Sequence, residues 1–279
     1  MTVAAEVGTA DVRAAAERFG LVGRPVCLHS ALSSFGRVAG GADAVVDGLL
    51  AAGCTVLVPS ASAVFAAPPP AGHTPLPHNS EDDGSIPAAP PAAGYDAAGD
   101  TVDRAMGAIP RAVLARQGRS RGAHPLSSFA AVGPLAEPLV AGQSADDVFA
   151  PLRELAERGG AVVLAGVGLD ALTLLHAAEE DAGLRLMVRW ARVGDATGPV
   201  AVRHGGCSRG FERLAPAVAH LERAGVVGAS RWRTYPAAEL LAAAGAVFRR
   251  DRLAGVCHDP GCRRCAARIA ETGGVIETR

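Results

Sequence analysis

The chain has 279 residues with 27 basic and 28 acidic side chains, a formal net charge of −1 and no lysine; it is 49% hydrophobic and 4% aromatic. A near-neutral chain without a long basic run is a poor candidate for a nucleic-acid backbone binder, and so few aromatics leave little for base stacking. No stretch approaches the roughly 20 apolar residues that span a bilayer, and the amino-terminal segment is acidic without a signal-peptide core, so a cytoplasmic protein is expected, its six cysteines reduced or metal-bound.

In chain order, Thr9 or Asp11 can cap a first helix that runs to about Phe19. Pro25 to Leu28 is a predicted strand ending at His29-Ser30, followed by the loop Ser30-Ala-Leu-Ser-Ser-Phe-Gly36. Gly40-Gly41 leads into a helix over Ala42 to Ala52 with Val45, Val46, Leu49 and Leu50 on its buried face, and Thr55 to Val58 is a second strand. Strand, Ser/Gly loop, helix and strand make a βαβ unit. The expected fold is therefore a three-layer α/β/α domain with a mainly parallel central sheet.

Ala66 to Asp100 is dense in Pro, Gly and Ala around the polar island His78-Asn-Ser-Glu-Asp-Asp-Gly84. A segment this long is either an irregular insertion or a flap, here an acidic one suited to a cationic ligand. A helix is predicted over Thr101 to Gln117, interrupted at Pro110, then a strand over Ser127 to Val132 and a helix over Ser144 to Arg158 capped by Ser144. Leu184 to Val193 and Val200 to Arg203 alternate like paired strands; Phe211 to Ala224 and Pro236 to Val247 are predicted helices with a short strand, Arg231 to Thr234, between them. There is no repeat and no clear linker, so residues 1–279 are taken as one domain, with 66–100 embedded as the flap.

Ala161 to Asp181 is the stretch with chemical content. The apolar run Ala161 to Ala165 suits a buried strand, Gly166 and Gly168 break it, and Asp170 is placed to cap the next helix. That helix carries His176 and Glu179 three residues apart, hence on one face. A carboxylate that holds one ring nitrogen leaves the other for a substrate proton, the arrangement of an oriented general base. Near the carboxyl terminus, Cys257, Cys262 and Cys265 are spaced C-x4-C-x2-C, which suits a structural zinc knuckle within 256–270. Cys207, His204 and Asp259 are candidates for a fourth ligand, and reduced thiols on a surface turn are the alternative. A zinc hydrolase built on His29 and His176 lacks any HExxH spacing.

Several motifs together resemble the aminoglycoside 3-N-acetyltransferases, an antibiotic acetyltransferase family. They are Leu28-His-Ser-Ala-Leu-Ser-Ser-Phe-Gly36 with Gly40-Gly-Ala-Asp43, Met106-Gly-Ala-Ile-Pro110, Arg121-Gly-Ala-His124-Pro-Leu-Ser-Ser-Phe129, Leu164-Ala-Gly-Val-Gly168 and Thr173-Leu-Leu-His-Ala-Ala-Glu179. The C-x4-C-x2-C is also similar to the tail of many members. The resemblance implies acetyl transfer from acetyl-CoA to the 3-amino group of a 2-deoxystreptamine aminoglycoside, with His176 as base and Glu179 as its acidic partner. It implies a cofactor side formed by His29, Ser30, Ser33, Ser34, His124, Ser127 and Phe129, with Arg121 or Arg119 toward a phosphate. The loop to Gly40-Gly41 adds backbone N–H groups suited to the CoA pyrophosphate. A polycationic substrate calls for acids, and Asn79, Glu81, Asp82 and Asp83 of the flap are the candidates, with Asp170 and Glu212 behind them. The flap lacks the Trp-Asp-Pro-type sequence common in the family, so the range of antibiotics accepted is not implied.

Overall fold

The computed structural model describes residues 6–73, 86, 91 and 93–272. Helix α1 (Thr9–Arg18) starts at Gly8, whose N–H donates to the Asp11 carboxylate at 2.8 Å. Strand β1 (Pro25–Ser30), helix α2 (Gly41–Ala51) and strand β2 (Thr55–Pro59) form the expected βαβ unit. The helix predicted over 101–117 is shorter. A 3-10 turn, Arg104–Met106, ends at Gly107 with φ 86°, a left-handed value that a helix cannot carry through, and α3 (Ala108–Leu114) starts after it. Pro110 lies in the first turn of α3, where its missing N–H costs no intrahelical bond.

Strands β3 (Ser120–Arg121) and β4 (Phe129–Val132) and helices α4 (Ala136–Ala141) and α5 (Ala150–Glu157) follow. Ser144 does not cap α5. It accepts from the Asp147 N–H at 3.1 Å in a separate turn, and α5 begins later beside Pro151. Strand β5 (Ala161–Ala165) and helix α6 (Leu174–Asp181) come next, then β6 (Met187–Ala191) and β7 (Val200–His204), which pair antiparallel as a separate two-stranded sheet. The helix predicted over Phe211 to Ala224 breaks into a 3-10 turn Phe211–Leu214, one turn α7 (Ala215–Val218), a second 3-10 turn Ala219–Leu221 and strand β8 (Arg223–Val227). Ala224 belongs to β8 because Arg223 to Val227 pair with β9 (Ser230–Pro236) across the two-residue turn Gly228-Ala229, with Gly228 at φ 60°. Helices α8 (Ala237–Arg250) and α9 (Arg263–Thr272) complete the described chain.

The main sheet has seven strands in the order β3-β4-β2-β1-β5-β9-β8. The parallel expectation holds for its centre, β2-β1-β5. The flanks β4, β3, β9 and β8 add antiparallel, which the apolar runs alone did not reveal. Central strands buried on both faces alternate between two cores. Val26, Leu28, Val56, Val58 and Val163 face α1, α2 and α3, whereas Cys27, Leu57, Val162 and Leu164 face α4, α5, α6 and α8. Burying the apolar side chains of both cores is the dominant stabilisation of such a layered fold.

This topology places the functional cleft. From β1 the chain runs through α2 to β2 on one side, while β5 lies on the other side of β1 and feeds α6 on the opposite face. Loops that leave the carboxyl ends of β1 and β5 for opposite faces open a crevice between them, the preferred binding position in open α/β sheets. The two ends of the 66–100 segment are tied down at Ala66, bridged to Ala191, and at Tyr95, bridged to Val193.

Candidate active site

A cavity of about 430 Å³ occupies that crevice. His29, Ser30 and Pro59 reach it from the ends of β1 and β2, and Val167 and Asp170 from the turn after β5. His176 stands in its wall. The sequence places an imidazole there because α6 begins late. Asp170 does not cap α6; it sits in a 3-10 turn, Leu169–Ala171, three residues before the helix, and no side chain caps α6. Its carboxylate is exposed at the cavity edge instead.

His176 Nδ1 lies 2.7 Å from Glu179 Oε2, and both side chains are buried. An ionised carboxylate only accepts, so Nδ1 carries the hydrogen and Nε2 keeps a lone pair. The ring is held on two sides: Phe149 stacks on it with centroids 6.2 Å apart, and Phe211 meets it at 4.7 Å. Gly205 closes the third side. A Cβ there would lie 2.8 Å from Cδ2 and 3.2 Å from Nε2, so only glycine lets the backbone approach the imidazole this closely.

Burial keeps His29 and His204 in the cavity wall neutral at pH 7. Burial pushes His29 down to about 4. Burial first, then the charges of Arg189 and Arg264, push His204 down to about 3. His204 Nδ1 bonds the Gly205 carbonyl at 2.6 Å and its ring lines the cavity, so it is not a knuckle ligand. Among the described lining residues Asp170 is the one carboxylate, so the acidic charge of the wall sits at its rim.

Of the residues assigned to a cofactor side, His29, Ser30, Ser127 and Phe129 line the cavity. Ser34, Arg121 and His124 belong to the frame. Ser34 Oγ donates to the Ala31 carbonyl at 2.7 Å, lies 2.8 Å from Ser230 Oγ, and packs where a Gly166 Cβ would be. Ser33 is exposed on the 3-10 turn Leu32–Phe35, away from the lining residues. Arg121 is buried, and its guanidinium donates to the carbonyls of Ser60, Gly99 and Thr101 while stacking over Tyr95. Arg119 likewise donates to the carbonyls of Leu114, Ala97, Ala98 and Gly99. These arginines pin the far end of the flap segment and offer no free fork to a phosphate. His124 is fully buried. Its Nδ1 accepts from the Leu126 and Ser127 N–H groups, so Nε2–H donates to the Arg203 carbonyl at 2.6 Å, and burial holds the ring at about 4. A histidine that anchors a turn and a serine or arginine that anchors a loop look like ligand residues in a sequence because residue type does not show the partner.

Glu212 is also a brace. Its Oε2 accepts from the Leu169 N–H at 2.7 Å and its Oε1 pairs with Arg233 at 3.1 Å, fixing the turn that presents Asp170. Asn79, Glu81, Asp82 and Asp83 lie outside the described residues. Thr173, which opens the motif around His176, lines the cavity too; Phe149, Gly205, Gly206 and Ser208 also line it and were not singled out in the sequence, because tertiary packing rather than local pattern brings them there.

The carboxyl-terminal cysteines gather with a fourth. The sulfurs of Cys207, Cys257, Cys262 and Cys265 all lie within 4.8 Å of one another. Asp259 is not among them; it pairs with Arg209 at 2.8 Å. Cys207 is held down to about 4, chiefly by the hydrogen bond from Cys265.

A sequence profile described as aminoglycoside 3-N-acetyltransferase matches residues 27–249. Aminoglycoside N(3)-acetyltransferase VII of Streptomyces paromomycinus is 36% identical over 163 residues, which is 56% of this chain and 54% of that protein. The curated relatives matched are spanned over 31% to 58% of their own length. Among solved structures, the apoenzyme of aminoglycoside acetyltransferase AAC(3)-IVa superposes with a TM-score of 0.78 at 24% identity, covering 97% of this chain and 99% of that one. AAC-IIIb, in a binary structure with CoASH, gives a TM-score of 0.71 at 25% identity, covering 88% and 97%. No described helix is long and apolar enough to cross a membrane.

Proposed function

The chain belongs to the aminoglycoside 3-N-acetyltransferase family, and from that premise we propose that it transfers an acetyl group from acetyl-CoA to the 3-amino group of a 2-deoxystreptamine aminoglycoside, protecting a cell from the antibiotic. The observation that carries the reading is the buried His176–Glu179 pair in the wall of a 430 Å³ cavity. A cosubstrate of the CoA type is supported by the CoASH seen with AAC-IIIb.

The reaction needs an amine with a free lone pair. His176 Nε2, its tautomer set by Glu179, takes a proton from the acceptor nitrogen as that nitrogen attacks the thioester carbonyl carbon. A C–N bond forms, the C–S bond breaks, and the leaving thiolate receives the proton back from the imidazolium, giving the amide and CoA thiol. Positioned proton transfer of this kind contributes roughly 10²–10⁴-fold. Glu179 balances the transient imidazolium, so the charge that develops is stabilised within a buried pair. His29, Ser30, Ser127 and Phe129 are the cofactor-side residues this reading keeps, and Asp170 at the rim attracts the polycation.

Thiol release from acetyl-CoA, measured with kanamycin, gentamicin and neomycin in turn, tests the proposal. It requires release with at least one of them and a product acetylated on the 3-amino nitrogen by NMR. Release without that regiochemistry, or none with any of the three, removes the assignment of acceptor.

A further inference from the structure

We infer that Cys207, Cys257, Cys262 and Cys265 bind one divalent ion of the zinc class, and that the ion holds the 204–211 loop against His176. The tetrad joins residues 50 positions apart in the chain: Cys207 comes from the loop after β7, and the other three from the segment leading into α9. Four thiolates around zinc at about 2.3 Å stand about 3.8 Å from one another. The sulfurs of Cys257 and Cys265 are 3.4 Å apart and all four lie within 4.8 Å, which fits that tetrahedron. A disulfide needs about 2.05 Å, so these are not bridged thiols. Four sulfurs with no nitrogen or oxygen donor select a thiophilic ion over magnesium or calcium.

The surroundings match the charge of such a centre. A tetrathiolate zinc carries a net negative charge, and Arg209, two residues after Cys207, pairs at 2.8 Å with Asp259 of the Cys257–Cys262 turn. Arg264 and Arg268 line a narrow crevice beside Cys207 and Cys265. Outer-shell donors of this kind orient and stabilise a thiolate site.

The functional consequence follows from what else the Cys207 loop carries. Gly205 abuts the His176 ring, His204, Gly206 and Ser208 line the catalytic cavity, and Phe211 packs on the imidazole at 4.7 Å. The crevice beside the tetrad is lined by Glu179 as well, so the cluster stands directly behind the dyad. Cys207 is thus a positioning residue: bound metal ties the carboxyl-terminal segment to the loop that closes on His176. The step rests on the acetyltransferase reading only for its kinetic readout.

The test begins with zinc per chain in the purified protein by elemental analysis, then cobalt substitution, whose thiolate charge-transfer and d–d bands report ligand number. The inference requires about one zinc per chain, a four-thiolate cobalt spectrum, and a weaker three-thiolate spectrum in Cys207→Ser. Chelation of the wild-type protein should raise hydrogen exchange in residues 204–211 and lower kcat at least about tenfold with little change in KM for acetyl-CoA, both reversed by added zinc. A folded protein with no zinc and no cobalt spectrum overturns the site. An unchanged spectrum in Cys207→Ser overturns Cys207 as ligand. Unchanged exchange in 204–211 after chelation overturns the loop coupling. Because metal content, spectrum and exchange need no turnover, they decide the matter even if no acceptor amine is acetylated.

Discussion

Replacing Gly205 by alanine adds one methyl group at the tightest point of the site. The new Cβ would sit 2.8 Å from His176 Cδ2, 3.0 Å from Cγ and 3.2 Å from Nε2. Carbon atoms pack at about 3.5–4.0 Å, so the ring or the loop has to move by about 0.7 Å or more. The ring has little room, because Phe149 stacks on it, Phe211 meets it at 4.7 Å and Glu179 holds Nδ1 at 2.7 Å. Overpacking of this kind costs about 1–3 kcal/mol of stability. A base misplaced by about 1 Å loses on the order of 10²-fold in rate. Stopped-flow thiol release should therefore show a kcat reduced at least about tenfold with KM for acetyl-CoA nearly unchanged, and thermal unfolding should show a modest loss. A Gly205→Ala protein with wild-type kcat and wild-type stability would refute the packing argument.

Other expectations follow from the same contacts. Arg121→Ala strands the buried carbonyls of Ser60, Gly99 and Thr101 and should cost about 3 kcal/mol or more by urea unfolding, leaving KM for acetyl-CoA unchanged among molecules that stay folded; a large rise in KM with normal stability would restore a phosphate contact. His124 titrates at 6.5 when unfolded and about 4 when folded, so the unfolded chain binds more protons in that interval. Stability is full above about pH 6.5 and falls by about 3 kcal/mol for this one ring as pH drops toward 4. His124→Asn should be less stable at neutral pH but lose stability less steeply on acidification, and equal slopes would contradict the assignment. Glu179→Gln, which can hold either imidazole tautomer, should lower kcat by about 10²-fold or more with the fold intact by circular dichroism.

The parts of the fold written as local pattern were legible. The apolar runs of β1, β2 and β5, the glycine breaks after them and the i, i+3 spacing of His176 and Glu179 depend on neighbours in the chain, and each stands where the sequence suggested. The antiparallel flanks were not, since β8 and β9 find their edges through a hairpin and a partner, β5, some seventy residues upstream. The site divides the same way. Phe149, Gly205, Phe211 and Cys207 reach the dyad or the thiol cluster only through tertiary closure. Ser34, Arg121, His124 and Glu212 have the residue types of ligand contacts but bond the protein's own backbone and hydroxyls, a distinction that side-chain chemistry alone does not carry.

The most direct measurement of the central claim is the rate of thiol release from acetyl-CoA at saturating aminoglycoside, wild type beside His176→Ala, with acetyl-CoA affinity measured separately by calorimetry. The account predicts a kcat lower by more than about 10²-fold in the variant with acetyl-CoA affinity retained. An equal rate in the two proteins would contradict His176 as the base.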